Sequence, residues 1–224
     1  MKLLLNLLSK LLSALILLAF VSVVNAQNSR ADEAAIRACF KNYQAAIAKK
    51  DGNAAATLVS NTSIKYYGGI LNLALNADEA KLRQVDFYRK MMALLVRNEA
   101  PDIYSQLGNS TNASRFFALV VSNGWGGEIG SPTLELGKIN KQADIIASAP
   151  AVLNGQETPA RFVFEFERDG WKFSLLDVIV RVNQIMKEKQ KSSSVGEEDA
   201  IIQSLEKRSG RPVSKDIWKP LNRK

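Results

Sequence analysis

The chain of 224 residues contains no histidine and a single cysteine, Cys39. Without imidazole there is no Ser–His or Cys–His relay, and one thiol alone supplies no set of soft ligands for zinc or copper, so no metal site is expected. A lone cysteine closes no internal disulfide either, which leaves the fold to packing. Cys39 falls among Ile36, Phe40, Tyr43 and Ile47 at helical spacing, as a packed thiol rather than a nucleophile would. Long apolar runs are also scarce. The run from Leu11 to Val24 has 14 residues, against roughly 20 for a membrane-spanning helix. The glycine-rich stretch Gly124 to Gly130 lacks a following Gly-Lys-Ser/Thr, and Pro132 stands where a phosphate-binding helix would begin, which excludes a phosphate loop.

The short apolar run has another use. Lys2 and Lys10 accompany it, and Val24-Asn25-Ala26 closes it with small residues, the pattern of a signal peptide over 1–26. The sequence thus predicts an exported protein, periplasmic or secreted after cleavage near Ala26. The 198 residues that follow suffice for one full core. The formal charge of +8 is unevenly placed: residues 187–224 hold ten basic and six acidic side chains, a balance of +4. No basic stripe is interleaved with aromatics, so nucleic acid is not an expected partner. The basic tail leaves an anionic partner or a membrane surface open.

Helical periodicity marks a first helix over 30–50 capped by Ser29, and a short second one over 53–59. Ile64 to Tyr67 read as strand, with Gly68-Gly69 breaking the pattern. A helix over 78–97 with Asp78 as its cap comes next, and 113–123 fits either helix or strand, with helix preferred and Gly124 ending it. At least three strands follow within 134–149 and 161–180. Helices first and strands second define an α+β class rather than an alternating α/β one. The division is 27–186 as the domain and 187–224 as a charged linker with a helical and extended tail.

The densest signal is the pair 161–168 and 171–180 around Asp169-Gly170, read as a hairpin with a two-residue type I′ turn. Strand parity places Phe162, Phe164 and Phe166 on one face, and Trp171, Phe173, Leu175, Asp177 and Ile179 on one face of the partner. Glu165 and Glu167 share the opposite, solvated face with Arg161. Asp177 is then a single carboxylate on an apolar wall, which suggests a pocket. Tyr66, Phe164, Trp171, Phe173 and Asp177 are its candidate ligand-binding residues. In the tail, Ile201, Leu205 and Trp218 form a sparse apolar set that docks either on its own domain or on a partner.

The segments Ala35-Ile36-Arg37-Ala38-Cys39-Phe40-Lys41-Asn42-Tyr43, Lys50-Asp51-Gly52-Asn53-Ala54-Ala55-Ala56-Thr57-Leu58-Val59 and Phe164-Glu165-Phe166-Glu167-Arg168-Asp169-Gly170-Trp171-Lys172-Phe173 together resemble the nuclear transport factor two-like superfamily. This is the cone-shaped α+β domain shared by ketosteroid isomerases, polyketide cyclases and many binding modules. The resemblance spans about Arg30 to Val182 and implies N-terminal helices packed on a curved, mainly antiparallel sheet, in an exported, bacterial-type member. The resemblance leaves the tail beyond Val182 unexplained and identifies no activity. The leader, the aromatic hairpin, the missing histidine and the charged tail together suggest a non-catalytic protein that holds a small apolar ligand or a protein partner without a cofactor, with the tail assisting docking and a homodimer left open. Enzymes of the superfamily that lack histidine chemistry use a pocket carboxylate as base. An isomerase or dehydratase-like activity with Asp177 as general base is therefore the first alternative, and a subunit of a cell-envelope assembly the second.

Overall fold

The computed structural model describes residues 30–99, 103, 106–107, 112–125 and 133–221. The segment 1–26 expected to be a signal peptide, Ser29 and the glycine-rich stretch beyond Trp125 lie outside the described residues. Helix α1, over 30–48, buries Ile36, Cys39, Phe40, Tyr43 and Ala46 along one stripe. Asp51 ends the turn after it and accepts from Ala54 N at 3.0 Å, starting α2 (Gly52–Leu58).

The segment read as a strand is instead part of α3 (Asn61–Asn76). Ser60 caps it, and Ser63, Tyr67, Ile70, Leu71 and Ala74 are buried at helical spacing. Of the two glycines that suggested a break, Gly68 allows a close approach: a Cβ there would stand 2.9 Å from Ala113 Cβ, whereas one on Gly69 would meet nothing within 4 Å. Gly52 meets the same neighbouring helix, where a Cβ would lie 1.9 Å from the Ala118 carbonyl oxygen. Tertiary packing thus overrides the local helix-breaking tendency of glycine. The helix expected over 78–97 divides into α4 (Glu79–Arg83) and α5 (Phe87–Asn98). Asp86 causes the division, because its carboxylate caps the second piece at Arg89 N, 3.1 Å away. The contacted neighbour, α6 (Ala113–Ser122), is capped by Asn112 and buries Phe116, Phe117, Val120 and Val121.

The sheet comprises β1 (Leu134–Leu136), β2 (Asn140–Ala143), β3 (Ile146–Leu153), β4 (Gln156–Glu167) and β5 (Gly170–Ser174). Its order is β1-β3-β4-β5 with β2 also paired to β3, all antiparallel. The sheet curls strongly into a half-barrel with helices before it, an α+β architecture. Positive φ at both central residues, the type I′ requirement, occurs at Asn154 (52°) and Gly155 (78°) between β3 and β4. At the aromatic hairpin the closing pair is Glu167 with Gly170, so the turn residues are Arg168 and Asp169, and only Gly170 has positive φ.

Small and large residues alternate across the concave face. Ala147 and Ala149 of β3 pair with Phe164 and Phe162 of β4 and leave room for the aromatics of α1. Phe40 sits 5.1 Å from Phe162 and 5.6 Å from Phe173 between ring centroids, and Tyr43 sits 5.2 Å from Phe173. On the other face, Glu165 and Glu167 are not merely solvated. Glu167 accepts from Asn61 N and Asn61 Nδ2 at 2.6 Å each, and Glu165 accepts from Thr62 Oγ1 at 2.8 Å. They supply negative charge to the N-terminus of α3, where the helix dipole favours it.

After β5 the chain enters α7 (Leu176–Ser192), then α8 (Glu197–Ser209) and a 3-10 turn (Lys215–Trp218). None of the described helices is long and apolar enough to cross a membrane. The expected continuation of β5 to Val180 is thus overturned. The pairing of β4 with β5 stops at Val163 and Ser174, so the first half of β4, which carries Pro159, pairs with β3 alone, across a register shift between Pro150 and Val152.

Candidate functional site

Helix α7 changes the surroundings of Asp177. The carboxylate belongs to an exposed first helical turn rather than to an apolar strand face. It lines a shallow groove of about 250 Å³ between α7 and the half of β4 that pairs with β3 but extends past β5. Pro159, Arg161, Phe162, Val178, Val180 and Arg181 share that lining. Phe162 is nearly closed off at 5% exposed, whereas Val180 is 54% exposed. Arg161 gives one hydrogen bond to Ser148 Oγ at 3.1 Å, and Arg181 reaches Gln184 Oε1 at 3.4 Å. Among the described residues neither arginine has a carboxylate within salt-bridge distance, and the Asp177 carboxylate accepts no hydrogen bond.

The other sequence-derived ligand residues lie elsewhere. Phe164 and Phe173 are wholly buried and stack across the β4–β5 pair at 5.4 Å. Trp171 is 6% exposed, and its Nε1 donates to Asp32 Oδ1 at 2.9 Å. Tyr66 lies on α3, not on a strand; its hydroxyl points to Asp86 at 3.5 Å and its ring carries the Arg89 guanidinium at 4.6 Å. Burial raises the Tyr66 phenol well above the usual tyrosine range, with Asp86 adding to the effect. These aromatics form packing and linkage, and Asp177 is alone among the five in lining the groove.

Cys39 is 6% exposed, and burial pushes its thiol up to about 11, which keeps it protonated and unreactive at neutral pH. Among the described residues no three acidic or cysteine side chains gather as a metal cluster. In the tail, Ile201 and Leu205 are 1% and 3% exposed within the core of the chain itself, and Trp218 is half-buried with Arg83 stacked on it at 4.4 Å. Of the two docking options open in the sequence, the structure adopts the intramolecular one.

Three polar centres have no counterpart in the sequence reading. Tyr67 and Tyr88 share a hydrogen bond of 2.8 Å in the core. Asn183 of α7 accepts from Tyr88 N and donates to Asp86 Oδ1, joining α7 to the start of α5. Arg97, 6% exposed, donates to the carbonyls of Leu73, Ala74, Ala77, Ile217 and Trp218. Lys90 and Arg97 bracket Ala93 and Leu94 at i, i+3, i+4 and i+7 of α5, a spacing that would have revealed buried cations.

Asp32 joins α1 to β2 and β5. The hydrogen bond from Lys141, 2.7 Å away, holds its carboxyl below the usual value of 3.8, and Trp171 acts in the same sense. A depressed folded pKa makes this contribution complete at neutral pH and lost as pH falls below about 4 toward the folded value. Asp32→Asn is expected to remove part of the acid destabilisation in that window. Unfolding midpoints between pH 2 and 5, with the Trp171 indole proton followed by NMR, check this; an unchanged acid limb would contradict it.

No family model matches the chain, and neither curated proteins nor solved structures provide a match.

Proposed function

We propose that this chain is an exported, non-catalytic binding protein with a cone-shaped, nuclear transport factor two-like domain, and that the groove between β4 and α7 receives a protein partner. The observation that carries this reading is the filled interior. Phe40, Phe162, Phe164 and Phe173 are each at most 5% exposed and occupy the hollow of the curved sheet with their own rings. Small-ligand pockets enclose roughly 300 to 1,000 Å³. The groove offers about 250 Å³, open to solvent. A shallow trough with an exposed valine and two arginines suits a protein contact, with an apolar centre and a charged rim, better than a bound small molecule.

A general-base role for Asp177 fits less well, because preorganised catalysis works in a water-excluded site and this carboxylate stands in water. A photo-crosslinking residue at Val180 in the exported chain tests the proposal, with one at Ile145, which is 57% exposed and outside the groove, as control. The expected result is a discrete polypeptide adduct from position 180 and none from 145. Equal labelling from both positions, or turnover of an apolar ketone abolished by Asp177→Asn, would overturn the reading.

A further inference from the structure

Residues 193–221 lie across α5 and the end of α3 as a strap. Glu197 Oε1 of α8 lies 2.7 Å from Lys90 Nζ, and Glu198 pairs with Arg83. Four residues after Glu197 comes Ile201, and four further on Leu205; both are sunk in the core cluster. The 3-10 turn adds Ile217, 6% exposed, with Trp218 beneath Arg83. Around these three buried anchors the seam is polar. Arg208 donates to Asn123 O and Arg211 to Asn98 O, while Arg97 reaches Ile217 O and Trp218 O.

An apolar centre with a charged rim is the composition of a reversible protein interface rather than of a domain core. The Arg83–Glu198 pair is part-exposed and holds weakly against water, whereas Lys90 is buried and Glu197 supplies its counter-charge. Among the described residues Arg97 has no carboxylate beside it, so its charge is buried against carbonyl dipoles alone. Opening the strap would hydrate that guanidinium, which offsets part of the cost of exposing Ile201, Leu205 and Ile217. The covalent link is short: Ser193 to Gly196 separate α7 from α8.

We propose that the strap-covered face of α5 is a helix-binding groove, kept closed by the chain's own α8, and that a partner protein presenting a similar helix replaces it. The matching helix has two acidic residues in its first turn, facing Lys90 and Arg83, followed by an apolar pair at i and i+4. A tethered segment competes at an effective concentration on the order of millimolar, so the displacing partner must bind the open face well below that. This surface is separate from the β4–α7 groove, and the inference stands without it.

The test uses the full mature chain with a protease site inserted between Ser194 and Val195. After cutting, a labelled synthetic peptide of residues 195–221 is added. The expected result is exchange of the labelled peptide for the resident strap, faster in high salt, with the amides of β3 to β5 still protected. A peptide carrying Glu197→Lys and Glu198→Lys is expected to exchange in at least about tenfold more weakly. Native-state hydrogen exchange on the uncut chain gives a second readout: amides of 201–208 should open at least about tenfold more often than those of 162–166. The inference is overturned if the strap leaves only in denaturant that unfolds the sheet, if the charge-reversed peptide binds equally well, or if both amide sets exchange through one common opening.

Discussion

Replacing Arg97 with Met is expected to destabilise the folded chain by about 3 kcal/mol, because three carbonyls lose a buried donor and each such loss costs about 1–3 kcal/mol. Arg97 Nε, Nη1 and Nη2 serve five acceptors between them. Two have other donors, since Leu73 O also accepts from Ala77 N and Ala74 O from Leu221 N. The carbonyls of Ala77, Ile217 and Trp218 are those the substitution strands. Removing the charge recovers its desolvation cost, the same burial that lowers the Arg97 pKa, and this keeps the net effect well below the sum of five bonds. Water entering beneath the strap limits the loss further, so the strap should open before the sheet does. For a chain of this size the thermal midpoint should fall by roughly 6–12 °C. Arg97→Lys is expected to recover only part of it, since an ammonium offers three donors in place of a rigid five-donor fork. Calorimetry together with amide exchange at 201–208 reads both effects, and a midpoint unchanged within a degree would refute the clamp.

The sequence was most legible where one physical signal acted alone. The stripe of Ile36, Phe40 and Tyr43 identified α1, and parity placed Phe162 and Phe164 on the inner face of β4, because burial sets those periods directly. It misled where two signals competed. Gly68-Gly69 reads as a break, yet Gly68 serves the approach of α6 to α3, a contact visible only once both helices are placed. Asp177 extends the strand parity of Trp171 and Phe173 by two more steps, but Leu175 already has helical dihedrals (φ −85°, ψ −11°), and the alternation ends at Ser174. The first turn of α7 therefore turns Asp177 to solvent. Arg97 is a mixed case: its place on the buried face of α5 with Ala93 and Leu94 hints at burial, but its acceptors are carbonyls of distant segments, which no local pattern shows.

Truncating Phe173 to Ala should have the other large effect, a loss of about 3–5 kcal/mol. Its ring stands where the first helix packs into the hollow of the half-barrel sheet. It lies 5.2–5.6 Å from Tyr43, Phe162, Phe164 and Phe40, and it is wholly buried. Its backbone carbonyl accepts from Ser60 N at 3.0 Å, the contact that joins the outer strand to the start of α3. A cavity at that point cannot collapse easily, because the neighbours are rings held by β4 and α1 rather than flexible chains. Phe166→Ala provides the internal control on the same hairpin. Phe166 is 45% exposed and its ring meets Trp171 at 5.3 Å, so its loss should cost under about 1 kcal/mol. If the hollow of the sheet were a ligand cavity instead of a filled core, the two substitutions would differ little in stability. Phe173→Ala would then admit ligand without a large fall in midpoint. Urea denaturation of both variants, with and without a small aromatic such as indole, separates the cases. The filled-core reading expects a large loss for Phe173→Ala and a small one for Phe166→Ala, and it expects indole to restore part of the stability only where the new cavity exists.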